Sequence, residues 1–172
     1  GDPGLITVAG WRLLQQADVV IHDRLVSPAL LDLARRDADL IRVGKSGSAP
    51  SISQDGINTL LVKLVEQGNR VCRLKGGDPF VFSRGGEEAA ALAAAGMPYQ
   101  VVPGITAAIG CAAYAGIPLT FRGLSKAVVL VTAESATDES VPDWVNLASG
   151  GQTLAVYMGV RRLEDVSRQL IA

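Results

Sequence analysis

The feature that most constrains this chain is a stretch rich in bare backbone. Residues 73–88 read RLKGGDPFVFSRGGEE, which sets Gly76-Gly77, Pro79 and Gly85-Gly86 close together. Glycine loses more conformational freedom on folding than any other residue, and one is enough for an ordinary turn. Two pairs therefore need a further reason. The apolar residues before the loop, 70–74, read as a strand, and Gly85-Gly86 opens a helix that begins with Glu87-Glu88. A loop of this kind, at the carboxyl end of a parallel strand, is where open α/β sheets bind ligands.

The same alternation runs through the chain. Apolar runs at 18–21, 40–43, 99–102, 127–132 and 153–158 read as strands. Helical spacing appears at 5–16, 28–35, 53–67, 86–95, 105–115 and 164–172, with a short helix starting at Pro142. Asp2 with Pro3, Ser27 with Pro28, and Ser53 supply start signals, and Gly68 and Gly96 supply stops. The small apolar residues 105–115 predict a tightly packed, buried helix, and 46–52 and 133–141 read as loops. Strands alternating with helices give an α/β fold with mainly parallel, doubly wound sheets. The connector at 116–125 divides an N-terminal α/β domain, 1–118, from the start of a C-terminal α/β domain, 119–172. Gly1-Asp2-Pro3-Gly4 begins as a loop with no strand before it, and the last helix lacks a stop signal. Both carry the expectation of a fragment without its first strand and its C-terminal part.

Composition removes several classes of function. The 172 residues carry a net charge of −1, without the basic stripe of a nucleic-acid binder. No apolar run reaches the ~20 residues of a membrane span, and no signal peptide is expected. Cys72 and Cys111 both fall in apolar stretches, which suits reduced thiols in a cytoplasmic protein. His22 is the only histidine and no Cys/His cluster has ligand spacing, so no metal is expected.

Four strands end in a polar or glycine-rich step: Asp23-Arg24, Gly44-Lys45, Gly76-Gly77-Asp78 and Pro103-Gly104-Ile105-Thr106. In a parallel sheet these ends share one edge, which gathers an acid, two bases and two glycine loops around one crevice. The loop at 76–78 is neither a Walker loop nor a Gly-x-Gly-x-x-Gly fingerprint. Asp78 would repel a phosphate. An acid beside bare backbone suits hydroxyl, amine or cationic groups, such as ribose with an amino acid, or a sulfonium.

Three long motifs then carry a resemblance. RLKGGDPFVFSRGGEE, VVPGITAAIGCAAYAGIPLT and DVVIHDRLVSPALL together resemble the uroporphyrinogen-III C-methyltransferases of the tetrapyrrole methylase family, a group that includes the methylase half of sirohaem synthase. The resemblance covers nearly the whole chain. It implies two α/β domains with the active-site cleft between them, in a homodimer. It implies S-adenosylmethionine as methyl donor and uroporphyrinogen III as acceptor, methylated on two pyrrole carbons to give precorrin-2 for sirohaem or cobalamin synthesis. Carried over by position, the donor contacts fall on Gly76, Gly77, Asp78, Val81, Thr106, Ala107 and Met158. The proton acceptor falls on Asp23 and the proton donor on Lys45, both already among the strand ends.

The acceptor is a polycarboxylate, so Arg24, Arg84 and Arg122 are the candidate substrate contacts. The chain departs from the family pattern at Lys45-Ser46-Gly47-Ser48, at Phe121 in Leu119-Thr120-Phe121-Arg122-Gly123 and at Ser83, losing two histidines near the substrate while keeping the donor loop. The alternatives are another precorrin methyltransferase, or a non-catalytic domain that holds S-adenosylmethionine or a tetrapyrrole.

Overall fold

A computed structural model describes residues 1–44, 52–134 and 142–171. By its contacts the chain forms two compact units, Gly1–Thr106 and Ala107–Ala172. The division falls before the helix that the sequence boundary at 118/119 follows.

The first unit is built on a three-stranded sheet in the order β2-β1-β3, with β1 at Val19–Asp23, β2 at Asp39–Val43 and β3 at Val71–Leu74. Both pairings are parallel: Ile21 stands beside Ile41 on one side and Arg73 on the other. Side chains alternate between the faces of a strand, and here each face has its own core. Val19 and Ile21 of β1, with Val43 and Val71, pack on Ile57 and Leu61 of α3 (Gln54–Glu66) and Leu92 of α4 (Gly85–Ala94). Val20, with Cys72 and Leu74, packs on Leu14 of α1 (Val8–Leu14) and on Leu33 and Ala34 beyond α2 (Pro28–Leu31). Helices on both faces make the unit doubly wound.

The start signals act locally. The Ser53 hydroxyl accepts the Gly56 N–H at 3.1 Å, Asp55 stands in the first turn of α3, and Gly68 ends it at φ 84°. Asp2 caps a 3-10 turn, Pro3–Leu5, by accepting the Gly4 N–H at 2.7 Å. The expected helix over 5–16 is thereby split, because the Thr7 hydroxyl takes the Gly10 N–H at 3.0 Å and starts α1 afresh. α2 is shorter than expected and its cap, Ser27, lends only extended backbone, with no side-chain capping bond.

Two expectations fail. Residues 99–102 form no strand: Pro98 and Pro103 bracket them without N–H donors, and Tyr99 and Val101 are exposed. The helix expected to be buried is α5 (Ala107–Tyr114), none of whose residues is buried. Its surface is apolar all round, but it packs on one strand, β5, and Ile109, Cys111 and Tyr114 stay exposed.

The second unit pairs β4 (Val128–Thr132) and β5 (Thr153–Tyr157) in parallel. α6 (Trp144–Ser149) and α7 (Leu163–Ile171) cover the pair, with Trp144, Ala133 and Val166 at the centre of its core. Among the described residues, no helix is long and apolar enough to cross a membrane.

One ion cluster ties the amino ends of β1 and β3. Asp18 accepts the Arg70 N–H at 2.8 Å, the Arg70 guanidinium at 3.0 Å and that of Arg35 at 3.1 Å. The Arg70 bonds, side chain first, hold the Asp18 carboxyl far below the usual carboxylate range. A carboxyl lowered on folding stabilises the native state above its unfolded value near ~4 and loses that contribution as pH falls below it. Asp18→Asn is therefore expected to lower the melting temperature at pH 7 and to flatten its fall between pH 5 and 2, measured by circular dichroism.

Candidate active site

The carboxyl edge of the first sheet is built by three parallel strands. β1 ends at Asp23, β2 runs into Gly44, and β3 runs through Lys75 into Gly76-Gly77-Asp78. Gly44 takes φ 118°, a conformation that favours glycine, beside the backbone of Arg24. The fourth polar step, 103–106, comes to the same edge without a strand to deliver it. A Cβ on Gly104 would sit 2.1 Å from the Gly77 carbonyl oxygen, so the two glycine loops meet backbone to backbone.

Asp78 stitches that contact. Its Oδ2 accepts the Gly104 N–H at 2.9 Å and its Oδ1 accepts the Phe80 N–H at 2.8 Å. The sequence suggested an acid aimed at a ligand; the structure gives it a prior task, fixing one loop against the other. The chain then winds tightly into α4. The Val81 N–H donates to Asp78 O at 3.3 Å, the Gly85 N–H donates to Pro79 O at 3.1 Å, and the Ser83 hydroxyl reaches the carbonyls of Asp78 (3.0 Å) and Pro79. Phe82 and Arg84 both take positive φ, 47° and 60°, the kind of backbone strain that collects at binding sites. Gly85 has no room for a side chain: its Cβ would lie 2.1 Å from Pro79 O. Gly76, by contrast, has nothing within 4 Å of where a Cβ would be, so its backbone faces open space. Gly76, Gly77 and Gly104 line one cavity of about 760 Å³ alongside β3.

Beneath the edge lies a group of charges. Arg73 stands in register with Ile21 and so shares the α3/α4 face, two residues before Lys75. Its guanidinium donates to Asp23 Oδ1 at 2.6 Å and to Glu88 Oε1 of α4 at 3.1 Å. Lys75 Nζ donates to both Glu88 oxygens, at 3.0 and 3.2 Å, and Gln54 Nε2 adds a bond at 3.3 Å. Two acids and two bases balance there. Residue-by-residue reading missed Arg73, Lys75 and Glu88. The available signal was a base inside an apolar strand, a second just after it, and an acid opening an alanine-rich helix, since buried charges need partners.

Of the other expected site residues, Thr106 is buried, Val81 half-buried, and Arg24 exposed directly after Asp23. Arg84 is exposed and already holds Glu87 through two bonds of 2.7 and 2.6 Å. That pairing raises the Arg84 pKa and lowers that of Glu87. Lys45 lies outside the described residues. In the second unit, Ala107 opens α5, Arg122 is exposed, and Met158 follows β5 at φ 55°, also exposed. His22 is buried within β1, its ring nitrogen against the Asp23 carbonyl oxygen at 3.2 Å. Cys72 is free, and burial pushes its thiol up to about 11, which makes it inert.

A parallel α/β sheet with paired glycine loops and a carboxylate at its carboxyl edge defines a small-molecule-binding α/β protein. The comparisons narrow the class. The sequence model of the tetrapyrrole (corrin/porphyrin) methylases matches residues 1–172, and the chain belongs to that family. Siroheme synthase 2 of Yersinia pestis (strain Pestoides F) is 56% identical over 172 residues, all of this chain and 36% of that protein. Siroheme synthase of Acinetobacter baylyi is also 56% identical, again over all of this chain and over 38% of its own length. The chain thus spans little more than a third of the curated relatives it matches. Among solved structures, uroporphyrin-III C-methyl transferase from Thermus thermophilus, complexed with S-adenyl homocysteine, is 37% identical with a TM-score of 0.80, covering 99% of this chain and 71% of that one. A cobalt precorrin-4 methyltransferase is 28% identical with a TM-score of 0.83, over 99% and 70%.

Proposed function

We propose that this chain is methylase sequence that moves methyl groups from S-adenosylmethionine to two pyrrole carbons of uroporphyrinogen III, giving precorrin-2 for sirohaem or cobalamin synthesis. The observation that carries the reading is the likeness, over 99% of the chain, to a uroporphyrin-III C-methyl transferase crystallised with the demethylated donor. The local chemistry supports it. The bare backbone at Gly76 and the loops locked by Asp78 form a cradle that would hold an uncharged or cationic ligand better than a phosphate. Gly76, Gly77, Asp78, Val81, Thr106, Ala107 and Met158 are the proposed donor contacts, and Arg24, Arg84 and Arg122 the proposed contacts to acceptor carboxylates.

Bound there, S-adenosylmethionine supplies an electrophilic methyl on a sulfonium. The loops would hold the donor against the acceptor carbon and exclude water. Asp23 is the proposed acceptor of the one proton the macrocycle loses for each methyl it gains, and Lys45 is the proposed proton donor. The protein is further proposed to act as a cytoplasmic homodimer.

The test is anaerobic incubation of the full-length protein with uroporphyrinogen III and methyl-labelled S-adenosylmethionine. A doubly labelled macrocycle is expected. Absence of label in it overturns the reading. Label accepted only by a later corrin precursor favours the second reading, a precorrin methyltransferase, which the TM-score of 0.83 to the cobalt precorrin-4 enzyme supports.

A further inference from the structure

The Asp23 carboxylate is the exposed tip of an otherwise buried charge chain. Its side chain is 35% exposed, against 12% for Arg73 and 6% for both Glu88 and Lys75. Every part of the Arg73 guanidinium is held. Nε faces Glu88, one terminal nitrogen faces Asp23 Oδ1, and the other faces the carbonyl oxygens of Ile21 (3.4 Å) and Leu74 (3.3 Å). Glu88 is fixed in turn by Lys75, just after β3, and by Gln54 of α3.

We propose that Arg73, clamped by Glu88, is a positioning residue that holds the Asp23 carboxylate by one oxygen and keeps it aimed at the sheet edge. The proposal rests on Asp23 being the proton acceptor. A base at a strand end would otherwise swing freely between rotamers. Here its orientation is inherited from three elements of the rigid first sheet and its covering helices. The arrangement also explains why two cations meet at Glu88. Without Asp23 the buried chain would carry one surplus positive charge, so Asp23 and the chain stabilise each other.

A purely structural ion network and a positioning network differ in their kinetic signature. The Arg73 guanidinium holds one oxygen of the Asp23 carboxylate at 2.6 Å; removing it frees that side chain to change rotamer while leaving the donor loop untouched.

In the full-length enzyme, Arg73→Gln is expected to lower kcat ~10- to 100-fold at pH 7 while leaving the KM of the acceptor near wild type. Affinity for S-adenosylhomocysteine, measured by calorimetry, should stay near wild type and reports folding. Arg73→Lys should recover part of the lost kcat, because an ammonium keeps the charge but not the fork. Wild-type kcat in Arg73→Gln overturns the proposal. Should that variant fail to fold, Glu88→Gln takes its place: wild-type kcat there overturns the proposal, and lowered kcat with an unchanged acceptor KM supports it. Asp23→Asn separates the two readings. If it turns over normally, the proton-acceptor reading falls and takes this proposal with it. If it is inactive while Arg73→Gln is normal, only the positioning role falls.

Discussion

Asp23→Asn is expected to reduce methyl transfer by ~10²–10⁴-fold, the range over which a positioned general base acts, with donor affinity close to wild type. Asn keeps the size of Asp and can still accept the Arg73 N–H through its oxygen, now at 2.6 Å in the native pair. It cannot accept the proton that leaves the macrocycle. Donor affinity should survive because the Gly76-Gly77-Asp78 loop is fixed by Asp78, Gly104 and the 79–85 wind, none of which bonds to Asp23. A modest drop in melting temperature is expected as well, since Arg73 loses part of its counter-charge. The measurement is labelled methyl incorporation beside calorimetry with S-adenosylhomocysteine. Wild-type incorporation by Asp23→Asn would remove it from the proton path. Lost donor binding would instead make Asp23 part of the donor cradle.

The sheet edge was legible because its signals are local. Each of β1, β2 and β3 is a short apolar run broken by a polar or glycine step, and the alternation with helices forces the strands parallel. Asp23, Gly44 and Gly76 therefore fall on one edge by sequence pattern alone. The meeting of Gly104 with Gly77 was less visible, because 99–102 reads as a strand and the prolines at 98 and 103 outweigh that pattern. α5 misled for the opposite reason: its apolar composition states what it would bury but not what is available to cover it. The charge chain was invisible for a third reason. Asp23 and Arg73 lie 50 residues apart in sequence, and only the register of β1 on β3 brings them together. Asp78 shows how a residue can do more than its local sequence states. Its place in the glycine loop was plain, but its bonds to Phe80 and Gly104 are non-local and give it a scaffolding task that composition cannot express.

That scaffolding task yields the second large effect. Gly104→Ala is expected to weaken donor binding ~10- to 100-fold and to lower the melting temperature. The new Cβ would sit 2.1 Å from the Gly77 carbonyl oxygen and 3.3 Å from Asp78 Cα, both backbone atoms that cannot rotate away. The loops must part, straining or breaking the Gly104 N–H bond to Asp78 Oδ2. Overpacking of this kind costs ~1–3 kcal/mol, and each ~1.4 kcal/mol felt at the site is tenfold in affinity. Gly76→Ala separates fold from ligand. Nothing lies within 4 Å of its Cβ and its φ is not positive, so its melting temperature should match wild type. If the donor lies on the Gly76 backbone, affinity should nevertheless fall, because the methyl occupies the space of the ligand. Gly86→Ala, equally uncrowded but inside α4, is the control and should bind normally while gaining up to ~1 kcal/mol of helix stability. Calorimetry with S-adenosylhomocysteine and thermal melts of the three variants give the answer. Wild-type affinity in Gly76→Ala would move the donor away from this loop, and wild-type stability in Gly104→Ala would mean the two glycine loops do not meet.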